Sequence, residues 1–219
     1  MEFELGVTGW WTVELYVESV TTHGDGSGYT GWRLEHRFRP LRSEHRINPV
    51  LYIEYEDVNE ASRIQKEIVG AGSLPFEPID ELRREHAHEL EGKLILSSAI
   101  RGWNLSENIT VEKNLSEDEG FEFGYSMGVA RQLGGLASAR PCRVCRENFV
   151  LGVEAYGGLG SSQAFARAEQ RHYLAPVIAW RTSDRSLVKA SIGFGLTGTS
   201  DNVLLRLGFA YELPIRRQR

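Results

Sequence analysis

The sequence predicts an all-β chain: an up-and-down antiparallel transmembrane β-barrel of about 10 to 12 strands. Three observations lead there. The first is a period-2 alternation in which one face of nearly every strand-like segment is apolar and the other carries charges or very small residues. From Asn202 to Leu213, Val203, Leu205, Leu207, Phe209 and Tyr211 point one way, and Arg206, Gly208, Ala210 and Glu212 point the other. The second is the crowding of Gly124, Ser126 and Gly128, then Ser191, Gly193 and Gly195, on the polar side. A solvated face has little use for such small residues, whereas the concave side of a narrow barrel needs them. The third is the placing of Trp10, Trp11, Trp32, Tyr55, Trp103, Phe121, Tyr173, Trp180 and Tyr211 near strand ends, where lipid headgroups would meet them.

The 219 residues suit a single domain spanning 1–219. No run of about 18 apolar residues occurs, which excludes a transmembrane helix and leaves β-strands as the only means of crossing. The net charge of -5, with bases interleaved among acids except at the C-terminal tail, argues against a nucleic-acid partner. Met1 is followed at once by strand-like sequence, with no charged n-region, apolar h-region or cleavage site; we read this as N-terminal truncation of an exported chain.

Element by element, the first strand is expected over about Glu4 to Ser19, with Leu5, Val7, Trp11, Val13, Leu15 and Val17 opposite Glu4, Thr8, Thr12, Glu14 and Glu18. A glycine-rich turn follows at His23. The second strand, Gly31 to Arg39, sets Trp32, Leu34, His36 and Phe38 against Arg33, Glu35, Arg37 and Arg39; the third, Val50 to Glu56, sets Leu51, Ile53 and Tyr55 against Tyr52, Glu54 and Glu56. A long connection near 57–88 interrupts the pattern. Its stretch from Asn59 to Val69 reads as a helix capped by Asn59 and ended before Pro75 and Pro78. Links of that length usually serve as a plug, lid or external loop.

Alternation resumes from Glu89 to Ile100, and a tight turn at Arg101 and Gly102 leads to Trp103, Leu105, Ile109 and Val111 on the apolar side. Glu107 falls on that side too and is placed toward a rim, where a lipid-facing acid costs least. Phe121 to Ala130 and Phe149 to Tyr156 alternate cleanly. Tyr173 to Trp180 is apolar on both faces and carries Pro176, which cannot donate a ladder hydrogen bond. Val188 to Leu196 and the terminal segment complete about ten strands.

On this scheme Arg33, Glu35, Arg37, Glu54, Glu91, Lys93, Glu122, Glu154 and Arg206 line the lumen, where they should pair across it, and none is assigned catalysis. Cys142 and Cys145, flanked by Arg140, Arg143 and Arg146, read as a local disulfide closing a loop. Two thiols are too few for zinc, and no cofactor is expected. His86 and His88 share a face of an extended segment beside Glu85 and Glu89, so a metal grip competes there with a plain polar strand end; the polar end is preferred. Ser97, Ser98 and Ser126 have no histidine at neighbouring lumen positions, and neither G-x-S-x-G nor H-E-x-x-H occurs, so the chain is read as not an enzyme.

The run Arg206-Leu-Gly208-Phe-Ala-Tyr211-Glu-Leu213 resembles the β-signal read by barrel-insertion machinery, with Arg206, Gly208, Tyr211 and Leu213 as its signal positions. Leu5-Gly-Val-Thr8, Glu122-Phe-Gly-Tyr125 and Val153-Glu-Ala-Tyr-Gly-Gly158 look like Gram-negative outer-membrane barrels similar to phenol-degradation meta-pathway transporter-like proteins. That resemblance implies a bacterial outer-membrane location, with the lipid bilayer and the insertion machinery as partners, and assistance in uptake of small hydrophobic or aromatic compounds. The expected function is porin-like passive transport or binding of small solutes. Two rivals are a soluble lipocalin-like barrel binding an apolar ligand, which needs the alternation read inside out, and a membrane-embedded lipid hydrolase.

Overall fold

The structure, a computed structural model, describes residues 2–22, 26–59, 86–118, 120–134 and 142–211. These form eleven strands: β1 (Glu2–Gly6), β2 (Trp11–Thr22), β3 (Gly26–Phe38), β4 (Asn48–Asn59), β5 (His86–Ile100), β6 (Trp103–Asn114), β7 (Glu122–Gln132), β8 (Phe149–Ser161), β9 (His172–Ser183), β10 (Ser186–Gly195) and β11 (Val203–Tyr211). Single 3-10 turns at Arg146–Asn148 and Arg167–Glu169 are the only helical pieces among the described residues. Every strand pairs antiparallel with its sequence neighbour, giving one sheet in the order β1 to β11. The sheet is not closed: β1 pairs with β2 and β11 with β10, leaving two free edges.

The strand count exceeds ten because the first predicted strand is a hairpin. Val7 and Thr8 both donate to the Trp11 carbonyl, turning the chain at Thr8 and Gly9. The pairing Leu5 with Val13 and Glu4 with Glu14 preserves odd and even parity across the turn, so the face assignment survives although the continuous strand does not. Asn59 is the buried last residue of β4, and the expected helix beyond it, over 60–69, and Glu85 lie outside the described residues.

Two local signals act where geometry demands them. Arg101 and Gly102, both at positive φ (50° and 82°), make the two-residue turn joining β5 to β6, the conformation that suits the right-handed twist of its flanking strands. Gly31, at φ 147°, sits at a register shift where a Cβ would lie 2.2 Å from the Asp57 carbonyl oxygen. Pro176 is incorporated into central β9, and the β9–β10 ladder skips Pro176 and Ala175 opposite Ile192 and Gly193.

The two faces differ in exposure. Leu205 is 69 % exposed, Leu207 86 % and Val153 41 %, while on the other face Glu14 and Glu54 are 1 % exposed and Glu35 2 %. A flat sheet would expose both sides alike; this one curls so that the polar side is concave. Side chains therefore reach across it: the Arg206 guanidinium of β11 stacks over the Tyr156 ring of β8, 4.4 Å from its centroid, and Lys189 of β10 bonds Glu154 of β8 at 2.6 Å. No helix among the described residues is long and apolar enough to cross a membrane.

Candidate functional site

Following the register across the concave face places one glutamate from each of seven consecutive strands side by side. Glu4 pairs with Glu14, Glu14 with Glu35, Glu35 with Glu54, Glu54 with Glu91, Glu91 with Glu112 and Glu112 with Glu122. Directly opposed like charges repel, so such a row persists only where cations are interleaved. Three are supplied from the rows above and below.

Arg33 is the main one. Its Nε donates to Glu18 Oε1 at 2.7 Å, its Nη1 donates to both carboxylate oxygens of Glu54 at 3.1 Å, and Glu56 lies 3.7 Å away. The planar guanidinium can serve several carboxylates at once in fixed geometry, which a lysine in that place could not do. It also stacks on the Tyr16 ring at 4.4 Å, while the Tyr16 hydroxyl donates to Glu14 Oε2 at 2.6 Å. Arg37 bridges Glu14, at 2.7 Å, and Glu35. Lys93 pairs with Glu91 and lies over the Tyr52 ring.

Beyond β7 the same face changes character. Gly124, Ser126 and Gly128 of β7 lead to Tyr156 of β8, Tyr173 and Ala175 of β9, Ser191 and Gly193 of β10 and Leu204 and Arg206 of β11. Tyr156, Tyr173 and Ala175 are buried together with Leu204 against them. Among the described residues the Tyr156 hydroxyl has no hydrogen-bond partner, whereas that of Tyr173 bonds both the Asp201 carboxylate and its amide.

All nine residues expected to line a lumen, Arg33, Glu35, Arg37, Glu54, Glu91, Lys93, Glu122, Glu154 and Arg206, fall on this one face. The structure groups them in two sets, with Glu154 and Arg206 away from the glutamate row. Of the signal positions, Arg206 and Gly208 share the concave face and Tyr211 the apolar face, while Leu213 lies outside the described residues. Cys142 and Cys145 are disulfide-bonded. Glu107 lies well inside β6 rather than at a strand end, opposite Leu96 and Met127. It lines an apolar-face depression of about 250 Å³ with Leu105, Val129, Val153 and Ala155.

His86 and His88 do share a face while Glu89 points to the other side, and both Nδ1 atoms approach one oxygen, Asp57 Oδ1, at 2.8 Å and 4.0 Å. His86 Nδ1 bonds Asp57 Oδ1 at 2.8 Å and His88 Nδ1 bonds the Tyr55 hydroxyl at 2.9 Å. Sequence reasoning missed Glu4, Glu14 and Glu112 as members of a row. The signal was present: Glu91 and Glu112 stand equally far from the Arg101-Gly102 turn, so that turn alone puts them opposite each other.

A scan against protein-family models and a search of curated proteins both find no match. The motifs behind the resemblance lie in β1 and its turn, in β7 and in β8.

Proposed function

We propose that this chain is an outer-membrane β-barrel protein whose lumen passes or binds small solutes, with a preference for cations. The observation that carries this reading is the glutamate row on the concave face, seven carboxylates from β1 to β7 with Arg33, Arg37 and Lys93 as the interleaved cations. A ring of acidic side chains in a narrow passage raises the local concentration of cations and repels anions. The exposed apolar face supports membrane insertion, because a water-soluble monomer rarely leaves so continuous an apolar surface open. The same exposure runs against a lipocalin-like arrangement, which needs those side chains inside.

Closure of the barrel belongs to this proposal. In an up-and-down order β1 and β11 run in the same direction, so the seam is either a parallel pairing or an antiparallel strand inserted between them. The edge β11, carrying Arg206, Gly208 and Tyr211, is the strand the insertion machinery would engage.

Planar-bilayer recording on refolded protein tests the function. In a salt gradient the reversal potential should report cation over anion preference, and the double substitution Glu112→Gln with Glu122→Gln should reduce it severalfold. Stable insertion without conductance would convert the proposal to a binding or structural role. Insertion itself is tested with Val153→Arg, which should cost about 2 to 4 kcal/mol near the bilayer midplane and next to nothing on a solvated sheet.

A further inference from the structure

The connections alternate between the two ends of the sheet, and among the described residues the two ends carry opposite charge. Among the described residues one end holds the connections 7–10, 39–47, 101–102, 133–134 with 142–148, and 184–185; the other holds 115–118 with 120–121, 162–171 and 196–202. Among the described residues at the first end and its flanking strand termini, besides Arg37, which is ion-paired on the concave face, are nine arginines, Arg39, Arg42, Arg46, Arg101, Arg131, Arg143, Arg146, Arg181 and Arg185, and four acids, Glu4, Glu44, Glu147 and Asp184. All nine arginines are exposed and no lysine stands among them. None makes an ion pair within the described residues, unlike Arg33 and Arg37 on the concave face. The opposite end carries Glu117, Asp118, Glu122, Glu169 and Asp201 against Lys113, Arg167 and Arg171.

The arginine end also carries an aromatic band on the apolar face. Trp10 and Trp11 pack on Phe38, and Phe149 stacks on Trp180 at 5.9 Å. Two of the arginine positions adjoin it: the Arg131 guanidinium lies 5.3 Å from the Trp103 ring centroid, and the Trp180 indole donates to the Arg143 main-chain carbonyl at 2.8 Å. Indole rings settle at the headgroup level of a bilayer, which places the guanidinium groups at the depth of the phosphates. Guanidinium forks match phosphate oxygens bidentately, and an arginine with no carboxylate partner keeps its fork available for them.

We infer that the arginine-bearing end of the sheet is a docking surface for the phosphate groups of anionic lipid headgroups, and that it orients the protein in its membrane. This rests on the membrane reading above. The occupant follows from charge complementarity and from continuity with the aromatic band: a lipid surface presents anionic phosphates beside the level where indole rings settle. The unpartnered arginines are then explained, since their counter-charges belong to the bilayer.

The test uses the full chain reconstituted in phosphatidylcholine vesicles and in vesicles mixing phosphatidylcholine with phosphatidylglycerol. Spin-labelled forms of both lipids report which is enriched at the protein boundary. The wild type should prefer phosphatidylglycerol by at least about fivefold, the factor expected from one arginine at the surface. The set Arg101→Gln, Arg131→Gln, Arg143→Gln and Arg146→Gln should abolish the preference. Glu117→Gln with Asp118→Asn at the opposite end should leave it intact. Equal partition of both lipids around inserted wild type overturns the inference, as does a preference that survives the four substitutions. Inorganic phosphate competing far better than chloride at equal ionic strength would also overturn it, because it would mark a free-phosphate site. Failure of the membrane reading is separate: in that case brominated phosphatidylcholine would not quench tryptophan emission in either vesicle.

Discussion

The concave face fills its interior in two different ways. Across β2 to β5 it is built of long ionic side chains, with Arg33 and Arg37 threaded between Glu14, Glu18, Glu35, Glu54 and Glu56. Across β8 to β11 it is built of Tyr156, Tyr173 and Leu204 resting on glycine, alanine and serine. The first half depends on charge balance, so its stability is concentrated in few residues. The second depends on shape, so its stability is spread over contacts that each matter less. Removal of one cation should therefore be far more damaging than any single change among the tyrosines.

The largest expected effect comes from Arg33→Met. Glu54 is 1 % exposed and would keep a charge with its guanidinium partner gone, a loss of about 3 to 5 kcal/mol in urea unfolding from detergent micelles. Adding Glu54→Leu should recover much of that loss, because the cost lies in the stranded charge and not in the missing attraction. If Arg33→Met proves as mild as changes in the tyrosine half, the division between the two halves falls.

An intermediate effect is expected in the half governed by shape, and it should depend on position. A Cβ at Gly152 would meet the Val129 carbonyl oxygen at 2.8 Å and the Ala130 Cβ at 2.9 Å, so Gly152→Ala requires backbone movement and should cost about 1 to 3 kcal/mol. At Gly208 the nearest atom would be 3.8 Å away, and Gly208→Ala should lie within about 0.5 kcal/mol of wild type or be slightly stabilising. Paired unfolding curves under one condition decide it. Equal costs at both sites would show that the small residues serve the backbone conformation and not the packing.

The strands were legible because a period of two depends only on local sequence, and nine of the eleven lie close to where the alternation places them. The hairpin of β1 and β2 was not, since Thr8 and Gly9 keep the odd and even pattern intact and leave no break to see. The set expected to line a lumen was legible as a face but not as a row. Alternation says which side Glu91 takes, whereas its place between Glu54 and Glu112 depends on register, which turns determine. Of the two-residue connections among the described residues, 101–102 and 184–185, only Arg101-Gly102 leads into an unbroken register, so it alone shows register in sequence. The tyrosine cluster was missed for other reasons: Tyr156 alternates onto the polar side but a search for charges passes over it, and Tyr173 was expected at the headgroup level, whereas it is buried against Tyr156 on the concave face.

The smallest effect separates the two tyrosines. Tyr173→Phe removes a hydroxyl that donates to the Asp201 carboxylate at 3.2 Å and accepts from the Asp201 amide at 3.1 Å. It should cost about 1 kcal/mol, since the exposed loop around Asp201 offers water in exchange. Tyr156→Phe removes a buried hydroxyl that bonds none of the described residues, while its ring keeps Arg206 stacked above it. Deleting an unsatisfied buried group returns its desolvation cost, so this change should be neutral or stabilise by up to about 1 kcal/mol. The pair isolates hydrogen bonding from ring packing, because both substitutions leave the aromatic contact between them unchanged. A Tyr156→Phe protein less stable than Tyr173→Phe would mean that the Tyr156 hydroxyl is held by a polar partner. In that case the second half of the concave face would share the ionic half's dependence on matched polar groups.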